Sequence, residues 1–199
     1  MSSLADSEKQ LLLEVARRAL ILAVERRESL LELPAHPALQ RPGGAFVTLR
    51  MRHRLRGCIG QFVSSDPLAQ VVAYCAKAAA LEDPRFDPVL PAELPHIDLE
   101  ISVLSPPEQI SAEQIILGTH GVVVSRGWQR GVLLPQVATE LNLTVERFLE
   151  ETCMKAGLER DAWKDSGTRI QAFTAEIFSE AEFRAALQAR RGQGYSTST

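Results

Sequence analysis

Two neighbouring segments of this chain predict a β-hairpin, and that hairpin restricts the possible folds more than any other feature. Residues 45–51 are rich in the β-branched and aromatic side chains that suit a pleated strand. A polar turn at residues 52–54 follows, and residues 55–63 return as a second strand. Because strands joined by a tight turn pair in antiparallel fashion, the hairpin favours an α+β fold over a doubly wound parallel sheet.

The remaining elements interleave helices with strands. The first is a long helix for which Ser7 is the predicted N-cap, with Gln10 completing a capping box. A second helix opens at Asp66-Pro67 and ends near Glu82. The further predicted elements are a helical turn at residues 91–94, strands at 97–104, 122–125, 131–134 and 169–178, and helices at 135–141 and 144–156. We therefore predict a mainly antiparallel sheet flanked by helices.

Composition limits the classes of function. The chain has 199 residues, enough for one large domain or a domain with a smaller lobe. Its formal net charge of -3 and its pI near 5.9 argue against nucleic acid and against an anionic membrane surface as partners. The start shows no secretory signal pattern. The three cysteines form no CxxC pair, so neither a disulfide framework nor a zinc site is predicted. We expect a cytoplasmic protein with reduced thiols.

Cys58 is the first candidate for chemistry, because it lies beside Arg56 and between Gly57 and Ile59-Gly60. The glycines leave room for another backbone or a ligand to approach. A cysteine displayed beside an arginine could act as a thiolate. The alternative is that Cys58 is a small buried hydrophobic residue, which is the usual situation of a free cysteine and the one expected for Cys75 and Cys153.

A dense basic cluster covers residues 50–56. In one unbroken strand, its four alternate arginines would share a face suited to phosphate or carboxylate groups. If the chain turns at residues 52–54, most of them are solvated residues at a hairpin tip. The hairpin favours the second interpretation, and only Arg56 is then retained as a candidate ligand-binding residue.

Two further residues are candidates on weaker grounds. His120 follows Gly118-Thr119 and precedes Gly121 in a predicted turn, and it is either a general base or an exposed loop residue. Glu100 lies on the polar face of the strand at 97–104, where it either lines a cleft or faces solvent. The other histidines show no metal-ligand spacing, and no phosphate-binding loop or nucleophile elbow is present in the sequence.

Taken together, several segments of the chain resemble the motifs of one protein family. The hexapeptide Leu55-Arg56-Gly57-Cys58-Ile59-Gly60 (LRGCIG) is similar to the hallmark of the AmmeMemoRadiSam system protein A family, also called the AMMECR domain. Other segments that resemble its motifs occur in the same order: residues 44–49, 83–86, 101–105, 120–121, 133–138 and 155–163. The resemblance covers residues 11–180.

The resemblance implies an α+β fold with a larger and a smaller lobe and the hexapeptide near the cleft between them. We accordingly expect a single domain over residues 1–191, followed by a disordered tail at 192–199. Members of the family are associated with a Memo-like protein and a radical S-adenosylmethionine enzyme. The resemblance implies neither a reaction nor a cofactor.

Two functional hypotheses remain open. In the first, the chain is an enzyme or enzyme accessory in which Cys58 is a nucleophile or redox thiol, Arg56 holds an anion and His120 is the base. In the second, the same region is a binding or adaptor groove for a small anionic ligand or a partner chain. Nucleic-acid binding is a distant third. The candidate binding residues are Arg56, Gly57, Gly60, Arg85 and Glu100.

Overall fold

The computed structural model describes residues 3–27 and 29–185, and the predicted tail at 192–199 lies outside them. The helices are α1 (Asp6–Val24), α2 (Leu68–Leu81), α3 (Pro135–Glu140) and α4 (Val145–Lys155), with short 3-10 helices at Pro91–His96, Ala112–Gln114 and Ala162–Lys164. The strands are β1 (Gly44–Met51), β2 (Arg54–Gln61), β3 (Ile97–Leu104), β4 (Glu108–Gln109), β5 (Gly121–Arg126), β6 (Gln129–Leu133), β7 (Arg169–Phe173) and β8 (Ala175–Ser179).

The strands form two four-stranded sheets. The first has the order β2-β1-β3-β8, and the second has the order β4-β7-β5-β6. The β1–β2 pairing and every pairing in the second sheet are antiparallel. The predicted α+β class with mainly antiparallel sheet is therefore confirmed.

The chain divides into two compact units. The first comprises residues 1–103 and 176–199, and the second comprises residues 104–175. In the first unit, α2 packs on the β1–β2 hairpin and α1 packs against α2, so the core lies between these two helices and one face of the sheet. In the second unit, α4 packs on β5 and β6 around the buried side chains of Phe148 and Leu149. The expected larger and smaller lobes stay a prediction, as does the single domain over residues 1–191.

The starts of the first two helices differ from the sequence prediction. Helix α1 begins at Asp6 with Ala5 as its N-cap, and Glu8 Oε2 accepts a hydrogen bond from the Ala5 backbone N–H at 2.7 Å. The predicted Ser7 cap was wrong because the helix begins two residues earlier than predicted, and Ser7 already lies in its first turn. Helix α2 begins at Leu68, and Pro67 rather than Asp66 is its N-cap. The predicted cap of α4 is confirmed, since Thr144 accepts a hydrogen bond from the Arg147 N–H.

The predicted strand at residues 169–178 proved to be two strands. It is interrupted at Thr174, whose N–H donates to Ser105 Oγ and whose carbonyl accepts from the Ser105 N–H, both at 2.9 Å. These bonds take Thr174 out of the strand ladder, so β7 joins the second sheet and β8 joins the first. Ala172 and Phe173 are consecutive buried residues, so the alternation expected of one continuous strand is lost just before this break.

The hairpin turn between β1 and β2 is confirmed, and its backbone is unusual. Arg52 and His53 have φ angles of 51° and 64°. Two consecutive positive φ angles are typical of the type I′ turn, which matches the twist of the flanking strands. Neither side chain favours this region, because the left-handed conformation costs a residue with a Cβ roughly 1–2 kcal/mol.

We expect the double substitution Arg52→Asn and His53→Gly to stabilise the protein by about 1 kcal/mol, since Asn-Gly adopts the type I′ turn without that cost. Chemical denaturation of the variant and the wild type measures the difference. The control Arg54→Gln keeps the turn and removes one exposed charge, and its stability should stay within about 0.5 kcal/mol of wild type. A destabilised double variant would contradict the turn assignment.

No helix among residues 3–27 and 29–185 is both long and apolar enough to cross a membrane.

Candidate functional site

Cys58 lies on the outer strand of the first sheet, directly opposite Thr48 of β1. The Thr48 hydroxyl donates a hydrogen bond to the Cys58 sulfur at 3.3 Å. Cys58 is half-buried, whereas Cys75 and Cys153 are fully buried in the two cores. Burial raises the pKa of the Cys75 thiol to about 11 and also raises the pKa of Cys153. Cys58 is therefore the cysteine best placed to react.

A buried carboxylate holds the backbone of Cys58. Asp83 follows α2 and is only 5% exposed. Its Oδ2 accepts the Cys58 N–H at 2.8 Å, and its Oδ1 accepts the Arg85 N–H at 3.1 Å. The Arg85 guanidinium also binds both carboxylate oxygens, at 2.9 and 2.7 Å. Hydrogen bonding from Arg85, joined by the two backbone N–H groups, lowers the pKa of Asp83 well below its usual range.

Arg85 is the cation beside Cys58. Its Nη2 donates to the Cys58 carbonyl at 3.2 Å, besides the bonds to Asp83. Its side chain is 54% exposed, and its guanidinium lies 5.5 Å from the centre of the Phe86 ring. Because five N–H donors are available on a guanidinium, the exposed edge of Arg85 can still bind an anion near the thiol.

Arg56, the predicted ligand-binding residue of the hexapeptide, contacts groups of the protein, and a ligand-binding role for it stays a prediction. The pairing register shifts between Leu49 and Arg50, so that Arg56 is an extra residue, a β-bulge, in β2. Its guanidinium binds both carboxylate oxygens of Glu93, at 2.8 and 3.0 Å, and the Asp87 carbonyl at 2.9 Å. The hydrogen bonds between the two side chains raise the pKa of Arg56 and lower that of Glu93. Arg56 thus ties β2 to the loop that carries Asp87.

The two glycines of the hexapeptide admit protein groups. A Cβ on Gly57 would lie 2.1 Å from the Ala79 carbonyl oxygen, so Gly57 allows the backbone of α2 to contact the strand. A Cβ on Gly60 would lie 2.1 Å from the Phe46 ring. The sequence left open whether another part of the protein or a ligand approaches these glycines. The contacts show that protein groups lie close to both of them.

Glu100 shares a sheet face with Cys58. Arg50 of β1 pairs with Glu100 of β3 at 3.4 Å, so both side chains lie on the same side of the sheet. Thr48 lies two residues before Arg50 and therefore on that side too, as does Cys58, which the Thr48 hydroxyl contacts. This face carries polar side chains, while Val47 and Leu49 face the core. Of the four arginines in the basic cluster, Arg52 and Arg54 lie exposed at the hairpin tip, as the turn interpretation predicted.

His120 belongs to the second unit. Its Nδ1 accepts a hydrogen bond from the Ile116 N–H at 3.1 Å. In a neutral imidazole, this bond leaves the proton on Nε2. A role for His120 as the base for Cys58 stays a prediction.

Sequence reasoning missed Thr48 and Asp83, which contact Cys58 directly as Arg85 does. The signal for Thr48 was present, because a hairpin places it opposite Cys58 once the register is known. Asp83 carried only a weak signal, an aspartate between a helix end and a proline. Among the described residues, no group of three or more His, Cys, Asp or Glu side chains is arranged to hold a metal ion.

Comparison with known proteins places the chain among relatives of similar length. A protein of Methanothermobacter thermautotrophicus is 49% identical over 144 residues, which cover 69% of this chain and 75% of the relative. One of Aquifex aeolicus is 38% identical over 179 residues, covering 86% and 92%. The crystal structure of uncharacterized protein PH0010 from Pyrococcus horikoshii matches with a TM-score of 0.77 at 39% identity, covering 89% of this chain and 93% of that one. The AMMECR1 family model matches residues 13–178, and the chain therefore belongs to the AMMECR1 family.

Proposed function

We propose that this chain is an AmmeMemoRadiSam system protein A that acts as a thiol-dependent enzyme or enzyme accessory, with Cys58 as its reactive group. The observation that carries the proposal is the environment of the Cys58 sulfur. It is half-buried and accepts a hydrogen bond from the Thr48 hydroxyl, beside an arginine with an exposed edge. This partial exposure and these polar neighbours distinguish Cys58 from the two cysteines that are buried in the cores.

In this proposal, each neighbour of Cys58 has a distinct task. The sulfur is the group that reacts with an anionic ligand, and Arg85 binds the negative charge of that ligand. The Thr48 hydroxyl holds the sulfur in position through its hydrogen bond. Asp83 is a positioning residue, since it holds the Cys58 N–H and the guanidinium in place without contacting the sulfur.

Selective alkylation tests the reactivity of Cys58. We expect iodoacetamide to modify Cys58 at least about tenfold faster than Cys75 or Cys153, because thiolate character and exposure set the rate. Mass spectrometry of peptides from a time course measures each rate separately. Thr48→Val should slow the reaction of Cys58 several-fold, because it removes the hydroxyl that contacts the sulfur, while Thr48→Ser, which keeps the hydroxyl, should react like wild type. Modification of Cys58 at or below the rates of the buried cysteines would refute the proposal.

A non-catalytic binding or adaptor role is the second candidate, and one observation favours it. Among the described residues, no imidazole or carboxylate is hydrogen-bonded to the Cys58 sulfur, so no base for it is in place. As an adaptor, the chain would use the same polar surface to bind the Memo-like protein or the radical S-adenosylmethionine enzyme. A pull-down with the Memo-like partner separates the roles: Cys58→Ser should bind like wild type if the chain is an adaptor.

A further inference from the structure

The outer edge of β2 presents backbone groups to side chains of the protein at Cys58. The Cys58 N–H donates to Asp83 Oδ2, and the Cys58 carbonyl accepts from Arg85 Nη2. Both backbone groups therefore point away from β1, so Cys58 and Thr48 form a non-hydrogen-bonded pair of the antiparallel ladder. Because β2 is the terminal strand of its sheet, its outward backbone groups bind side chains instead of another strand.

Gly60 supplies the next N–H group on the same edge. It pairs with Phe46, two positions along from the pair at Cys58, so its N–H also points away from β1. No described residue accepts a hydrogen bond from this N–H, and Gly60 is partly exposed. The Phe46 ring occupies the space that a Cβ of Gly60 would fill, which lies on the face of the sheet and not on its edge. The Gly60 N–H is therefore an unused donor beside the Cys58 carbonyl.

The Arg85 guanidinium brings a second unused donor to the Cys58 carbonyl. Its Nε and Nη2 bind Asp83, and Nη2 also binds the carbonyl. Nη1 donates to no described residue, and the side chain is more than half exposed. In a planar guanidinium, the outer N–H groups of Nη1 and Nη2 run parallel. The free Nη1 donor therefore points in the same direction as the Nη2 donor that binds the Cys58 carbonyl.

The charges around these two donors favour a singly charged ligand group. Arg85 pairs with Asp83, and Arg56 of the same strand as Gly60 pairs with Glu93. Each ion pair has no net charge, which gives a dianion such as phosphate little advantage over a monoanion. Two N–H donors side by side also match the two oxygens of a planar carboxylate. Charge and donor geometry therefore both favour a carboxylate.

We propose that the Gly60 N–H and Arg85 Nη1 together bind the carboxylate of a small carboxylic acid at the outer edge of β2. The inference rests on the proposed function, because it names the anionic ligand of that function as a carboxylate and adds a backbone donor to its binding site. Both donors adjoin the Cys58 carbonyl, so a ligand held by them lies beside the residue whose sulfur is proposed to react.

NMR of the full chain can observe the Gly60 N–H alone. Residues 59–60 are the only Ile-Gly pair in the sequence, so isoleucine labelled with ¹³C at the carbonyl and glycine labelled with ¹⁵N select a single amide. We expect sodium propionate to shift this amide downfield with a dissociation constant on the order of 1–10 mM, weak because the ligand is small. Propionamide, which has a similar shape and no charge, should leave the amide unchanged, and phosphate should bind at least about threefold more weakly than propionate.

Two variants locate the binding. Arg85→Gln removes the guanidinium and should weaken propionate binding at least about tenfold, whereas Arg54→Gln removes an exposed arginine of the same strand and should leave the affinity unchanged. If thermal unfolding shows that Arg85→Gln does not fold, the wild-type comparison of propionate with propionamide decides alone. An amide that ignores propionate, or that responds equally to propionamide or phosphate, would overturn the inference even if Cys58 is alkylated rapidly. Propionate binding to a chain whose Cys58 is alkylated slowly would support the carboxylate site and contradict only the thiol chemistry.

Discussion

Gly57→Ala is expected to destabilise the protein by about 3 kcal/mol or more, the largest effect of any single methyl group in the hexapeptide. The added Cβ would lie 2.1 Å from the Ala79 carbonyl oxygen and 3.1 Å from the carbonyl carbon. Both are backbone atoms inside α2, so no side-chain rotation relieves the overlap. Either the helix moves away from the strand or the hairpin bends outward, and both changes open the core.

Chemical denaturation of Gly57→Ala measures this loss, and two other glycines provide controls. Gly167→Ala adds a methyl group with no atom within 4 Å, and its stability should change by less than about 1 kcal/mol. Gly127→Ala also has open space, but its φ of 58° costs a residue with a Cβ roughly 1–2 kcal/mol. If Gly57→Ala were no worse than Gly127→Ala, the contact between α2 and β2 would be looser than the structure shows.

Asp83→Asn is expected to cost about 2–3 kcal/mol of stability at neutral pH. The carboxylate accepts the Cys58 N–H, the Arg85 N–H and two guanidinium bonds from a buried position. An asparagine amide directs N–H donors toward some of these donors, which leaves them unsatisfied. The loss stays below that of a fully buried ion pair, because the Arg85 side chain is half-exposed and regains water.

The effect of Asp83→Asn should also depend on pH in a definite direction. The pKa of Asp83 is lowered in the folded protein, so its contribution is fully present above the unfolded pKa of about 4 and is lost as pH falls toward the folded value. The difference in unfolding free energy between wild type and Asp83→Asn should therefore be constant from about pH 5 to 8 and shrink below about pH 4.

Denaturation of both proteins across this pH range checks the prediction, with Asp87→Asn as the control. Asp87 lies in the same loop, but it is exposed and its side chain makes no hydrogen bond with a described residue. Its substitution should change stability by less than about 0.5 kcal/mol at any of these pH values. A pH-independent difference for Asp83→Asn would show that its carboxylate is not what holds Cys58 and Arg85.

The amino-acid sequence alone was sufficient to determine the elements whose signals are local. The turn at residues 52–54 and the alternation at 97–104 predicted the hairpin and β3, and the hairpin predicted the α+β class. The resemblance at residues 55–60 predicted the AMMECR1 family. These signals survive in a linear sequence because strand alternation, helical spacing and turn chemistry act between residues a few positions apart.

Only the tertiary structure decided which side chains surround Cys58. Asp83 is 25 positions away in the chain, and it contacts the Cys58 backbone because α2 packs against β2 at Gly57. The β-bulge at Arg56 has no signal in the sequence pattern. It directs Arg56 to Glu93, so that Arg85 is the arginine that contacts Cys58. Contacts of this kind depend on how helices and strands pack against each other. All the core side chains together determine that packing, and no short segment of the sequence specifies it.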